Sequence, residues 1–206
     1  MKIRVCLLLL LFSLKLYCLE IPDATLNMNL SDDWKYFGKD NVGDFVAYEF
    51  KRSPIDDSNK QPIIPTLSVY LQKNTNNLDT LRYLIGMRSI LGLTDKLKIT
   101  IIDSEEGYFK IPYAIGVVAE GIPKNYKREM VLILITLEYG DYCVSIICAC
   151  TKDVYPKMEK DYKKILNSIE LKTNKKTVNF VRMENKDAVF AIQEGQKAGI
   201  VLEVKK

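Results

Sequence analysis

The residues able to do chemistry here are few, and a missing one decides most. None of the 206 residues is histidine. Without an imidazole there is no Ser-His-Asp or Cys-His nucleophile, no usual neutral-pH proton shuttle and no common zinc site. Carboxylate pairs still permit acid–base work of the glycosidase kind. The acids gather at Asp32/Asp33, Asp56/Asp57 and Asp103/Glu105/Glu106. Each group falls at a predicted turn, where acidic side chains bind local backbone N–H groups and water. The string Asp-Ser-Glu-Glu-Gly at 103–107 spaces its oxygens too closely for calcium. There is no phosphate-cradling glycine loop and no dinucleotide fingerprint. The expectation is a protein that is not an enzyme, with no catalytic residue, metal or cofactor.

Two other groups attract notice. Cys143, Cys148 and Cys150 lie in one predicted strand, with Cys148 and Cys150 on one face and Cys143 on the other. Cysteines of the same strand do not bridge comfortably, so the choice is between a Cys-x-Cys redox or metal site and small buried packing residues, and packing is expected. Trp34, Tyr36 and Phe37 make an aromatic group beside a turn. Exposed, they would form a partner-binding patch; buried, they would be core.

The elements that must hold these residues begin with an address. Lys2 and Arg4 precede an apolar run from Val5 to Leu14, about the length of a signal h-region and too short to span a bilayer. Residues 1–18 are expected to be a signal peptide. Cys18 is either the last residue removed or a lipid-bearing N-terminus, although Tyr17 replaces the small residue that lipidation favours. Losing Lys2, Arg4 and Lys15 takes the basic side chains from 30 to 27, against 26 acids. That near-neutral balance gives no cationic face for nucleic acid. Lys157, Lys160, Lys163 and Lys164, with Lys172, Lys175 and Lys176, read as the solvated side and flank of a helix.

Alternation marks strands at 26–30, 44–52, 66–73, 96–103 and 113–121, and "SDDWKYF" (31–37) reads as a turn between the first two. A polar loop at 53–62 reads as a hairpin-like excursion. Leu78, Leu81, Leu84, Ile85 and Leu91 recur at helical spacing in 76–92. Two strongly apolar strands flank Gly140–Asp141 within 130–151, a tight hairpin whose double-sided apolarity requires cover on both faces. Met158, Tyr162, Ile165 and Ile169 give the helix 154–170 its stripe, with Lys163 expected on the open side. A strand near 178–183, a helical patch near 186–194 and a last strand at 199–206 complete the reading. The fold class is α+β: an antiparallel sheet of about six or seven strands flanked by helices.

This order, from the signal through "DDWKYF" to the closing "YKKILNSIEL" (162–171), resembles the superfamily of the photosystem PsbP subunit and the envelope lipoprotein DcrB. The resemblance implies a PsbP-like α/β/α sandwich at 19–172, followed by a C-terminal extension at 173–206 of unknown role. It also implies an exported, non-catalytic binding or assembly module of the bacterial cell envelope, periplasmic or lipid-anchored, engaging a protein partner. The alternative is a small-molecule or lipid carrier with an apolar pocket between sheet and helix.

Overall fold

The computed structural model describes residues 17–21, 26–42, 45–73, 98–102, 104, 107–111, 114–122, 127–139, 142–171 and 201–202. Its centre is the hairpin of β10 (Met130–Tyr139) and β11 (Tyr142–Thr151), paired without a break from Met130↔Thr151 to Tyr139↔Tyr142. Both strands are apolar on both sides, and only a central position buries both sides. β11 accordingly pairs with β7 (Thr66–Lys73) beyond it, and β10 with β9 (Ile115–Gly121). The sheet runs β13 (Val201–Leu202), β8 (Lys98–Ile102), β9, β10, β11, β7, β4 (Phe45–Arg52), β3 (Trp34–Val42). All pairings are antiparallel except β13 on β8. This is the α+β class expected.

One face of the sheet is covered by α1 (Tyr155–Asn167). Pro156 sits in its first turn, where a missing N–H costs nothing. Met158, Tyr162, Ile165 and Leu166 point inward and are buried, each aliphatic contributing about 1.5–3 kcal/mol by leaving water. They meet Phe50, Leu67, Val69, Ile133, Ile146 and Cys148 from the strands. Tyr162 also gives its hydroxyl to Ala149 O at 2.8 Å. Beside the helix, Phe109 is fully buried, and a Cβ built on Gly116 would lie 2.6 Å from both Phe109 Cε1 and Ile102 Cγ1. Only glycine allows that approach. On the opposite face Val117, Leu132, Leu134, Cys143 and Ile147 form a second cluster, and Thr136 and Ser145 are buried there with their hydroxyls 3.1 Å apart.

Two small sheets complete the described residues: β1 (Tyr17–Ile21), β2 (Leu26–Leu30) and β12 (Glu170–Leu171), and the hairpin β5 (Ile55–Asp56) with β6 (Pro62–Ile63). Leu26, Met28 and Leu30 join the main core, and the Asn29 N–H donates to Ser168 Oγ at the end of α1.

Several expectations change. "SDDWKYF" is not one turn: the chain reverses at Asp32–Asp33, and Trp34 begins a nine-residue strand. An edge strand needs few apolar residues, so its polarity disguised it. The strand 26–30 belongs to a separate sheet, where it pairs with β1 from Tyr17↔Leu30 to Ile21↔Leu26. Lys163 is not idle: its Nζ lies 2.9 Å from Glu159 Oε1 and 4.1 Å from the centroid of Tyr108. The expected helix 76–92, residues 178–183 and 186–194, and residues 1–16 lie outside the described residues.

Candidate functional site

The aromatic group divides. Trp34 enters β3 with its backbone N–H on Ser31 O and is only 6% exposed. Its ring packs on Tyr162, centroids 6.0 Å apart, and its indole N–H donates to Asp161 Oδ2 at 3.0 Å. Arg52, in register opposite Trp34, donates Nε to the same oxygen at 3.2 Å and Nη2 to Asp33 Oδ2 at 3.0 Å. Trp34 therefore fastens β3 to α1, and Asp33 is an ion-pair partner.

Tyr36 and Phe37 differ, at 55% and 63% exposed. Tyr36 leans on Phe50 with ring centroids 5.5 Å apart. The register then jumps from Tyr36↔Phe50 to Gly38↔Glu49, so Phe37 is the extra residue of a β-bulge, thrown outward by it. Lys51 Nζ sits 3.0 Å from the centroid of the Phe37 ring, and Lys39 Nζ 5.2 Å from that of Tyr48. A Cβ on Gly38 would meet nothing within 4 Å. Lys35 and Lys51 are direct cross-strand partners, a like-charge pairing that weakens a sheet.

β3 ends the sheet, with no described strand beyond it. About half of an edge strand's backbone N–H and C=O groups point away from its single neighbour. At the far end, the Asn41 N–H is taken by Asp40 Oδ1 at 2.8 Å. The stretch 35–39, with Lys51 of β4 beside it, thus presents backbone, two aromatic rings and lysine side chains. It holds no nucleophile or acid–base pair.

Among the other candidates that are described, Asp57 is tied into the fold. Asp32 is exposed, and Asp56 contributes its backbone oxygen to Lys157 Nζ at 2.8 Å. The Asp57 carboxylate is buried; its Oδ1 takes the N–H groups of Asn59 and Gln61 at 2.7 and 2.8 Å, and Oδ2 lies 2.6 Å from Arg128 Nη1. The Gln61 N–H lowers its pKa most, helped by Asn59 and Arg128 and opposed by burial. Arg128 also reaches Gln61 Oε1, and Lys60 takes up the left-handed turn at φ 59°. Asp57 is the pin of the β5–β6 hairpin. Asp103, Glu105 and Glu106 lie outside the described residues.

Cys143, Cys148 and Cys150 are buried and joined in no disulfide, on the faces that alternation assigns. Burial pushes the Cys148 thiol well up and the Cys150 thiol up to about 12. Neither is a thiolate near neutral pH. Among the described residues no three of His, Cys, Asp and Glu converge as a metal would require, and no helix is long and apolar enough to cross a membrane. Sequence reasoning missed Lys35, Lys39 and Lys51. The alternation of Trp34 and Tyr36 with lysine was the available signal.

No family model and no curated protein matches this chain. Among solved structures it is similar to a protein of Bacteroides thetaiotaomicron at 13% identity and TM-score 0.45, over 76% of this chain; the chain spans 48% of that protein's length. It is similar to the Saccharomyces cerevisiae Ran-binding protein Mog1p at 9% identity and TM-score 0.48, covering 74% of this chain and 93% of Mog1p. A third likeness is to LpqN, involved in cell envelope biogenesis of Mycobacterium tuberculosis, at 13% identity and TM-score 0.41, covering 72% and 84%. At these scores none of the three carries an argument about what this chain does.

Proposed function

We propose that this chain is an exported, non-enzymatic binding or assembly module of the bacterial cell envelope that engages a protein partner. The observation carrying the reading is the exposure of Tyr36 and Phe37, two adjacent large aromatic side chains on an open sheet edge. Exposed aromatics are unfavourable in water and are the residue type that most often dominates binding energy at interfaces. Trp34 is buried against Tyr162 and does not contribute contact surface. The basic, leucine-rich start supports export, and Cys18 remains the point of cleavage or of lipid attachment.

The test is native mass spectrometry of the full chain recovered from its own host, beside a Tyr36→Ser/Phe37→Ser variant. A bound protein present with the native chain and absent with the variant is expected. A complex that survives the double change, or a co-purifying small molecule in place of a protein, would overturn the reading. The same spectra give the start at Leu19 or a diacylglycerol mass on Cys18.

A further inference from the structure

We propose that β3 receives an acidic, extended segment of the partner protein as an added strand along residues 35–39; this rests on the binding role proposed above. The edge is open in the specific sense that a strand needs. β3 terminates the sheet among the described residues. The Asp40 carboxylate occupies the Asn41 N–H and so closes the far end. An added strand gains its affinity from backbone hydrogen bonds and its selectivity from alternate side chains.

The charge around this edge selects the occupant. Lys35 and Lys51 face each other across the β3–β4 pair, and among the described residues neither has a carboxylate partner. Lys51 instead lies over Phe37, and Lys39 over Tyr48. The nearby acids are largely committed: Asp33 and Asp161 to Arg52, Asp40 to Asn41. Glu49 remains beside the bulge, opposite Gly38. A segment bearing Asp or Glu at alternate positions would relieve the Lys35–Lys51 repulsion, while its intervening apolar side chains lie on the opposite, α1 side of the sheet with Tyr36, which leans on Phe50 there. A basic segment would add to the repulsion. A second copy of β3 would bring both sets of lysines to one seam.

The experiment uses the isotope-labelled full chain and two probes of about ten residues, an alternating Glu-Val peptide and an alternating Lys-Val peptide. We expect the Glu-Val peptide alone to shift the amide signals of residues 35–39, with affinity falling as salt rises. Lys35→Glu/Lys51→Glu should weaken it about tenfold or more, and Lys35→Arg/Lys51→Arg should retain it. Both pairs alter exposed or half-buried positions, and unchanged thermal melts verify that they fold. The proposal falls if the Glu-Val peptide does not bind, if the Lys-Val peptide binds equally, or if the shifts lie elsewhere. It falls equally if charge reversal leaves affinity unchanged, or if residues 35–39 respond only to the chain's own concentration. Should the peptide fail while partner capture still requires Tyr36 and Phe37, the binding reading stands and the acidic strand alone is refuted.

Discussion

Asp161 is the test of how β3 is held. Its Oδ2 accepts both the Trp34 indole N–H at 3.0 Å and the Arg52 Nε–H at 3.2 Å. Asp161→Ala strands the indole donor in a site where Trp34 is only 6% exposed, a loss of about 1–2 kcal/mol. Arg52 is 20% exposed and keeps Asp33, so its lost pairing adds at most about 0.5–1 kcal/mol after solvent screening. The sum is about 2 kcal/mol, or a fall in Tm of about 4–8 °C for a chain of this size. Asp161→Asn keeps an acceptor oxygen and should cost about half as much. Urea unfolding followed by fluorescence measures both, and Trp34, the single tryptophan, reports from the contact itself. Asp161→Ala within about 0.5 kcal/mol of wild type would refute the fastening role. Equal costs for the two variants would show that the Arg52 charge, and not the indole, is what Asp161 serves.

Other outcomes follow from the packing. Gly116→Ala should destabilise by about 1–3 kcal/mol through overpacking, because its methyl meets Ile102 and Phe109; denaturant midpoints check this. Ile165→Asp should cost more than about 4 kcal/mol by burying a carboxylate, and Lys163→Asp, though milder, should be measurable in the same melts because it sets a second acid beside Glu159. The carboxyls of Asp57 and Asp153 are both held below 3.8 in the folded chain, chiefly by the Gln61 N–H and by Thr151 respectively. A depressed folded pKa gives stability that is present above the unfolded value and lost as pH falls through the folded one. Hydrogen exchange of residues 55–63 should therefore rise below about pH 4, and Asp57→Asn should weaken that acid response. Alkylation with iodoacetamide at pH 8, read by peptide mass spectrometry, should leave Cys143, Cys148 and Cys150 unmodified until the chain unfolds.

What the sequence disclosed was whatever repeats at a fixed period. β7 and the β10–β11 hairpin fall where alternation places them, and the α1 stripe is buried as read, with Leu166 added. β3 escaped because, over residues 34–41, this edge strand commits only Trp34 to the core, so its pattern is mostly solvent chemistry. The roles of Asp33 and Asp161 were invisible for a different reason: Arg52 joins them across 19 and 109 residues of chain, and no local window spans the larger gap. Gly116 reads as a weak point in a strand until Phe109 and Ile102 are seen pressing on it. The bulge at Phe37 depends on how β4 answers β3, information that neither strand holds alone.

The order of the strands also governs when the molecule can become itself. β7 is laid down early, with Leu67, Val69 and Leu71 on the side that α1 will cover. Its partner on the far side is β11, which pairs from Lys73↔Tyr142 to Thr66↔Ala149. Such distant pairing must bear the entropy of a long closed loop before any contact rewards it, which makes folding slow. During synthesis β3, β4 and β7 therefore wait as an unfinished meander, its β7 edge open until Tyr142 and the residues after it arrive. The hairpin β10–β11 and α1 are contiguous in the chain and able to form together. The sheet on the β7 side is therefore completed only when β11, far along the chain, pairs with it.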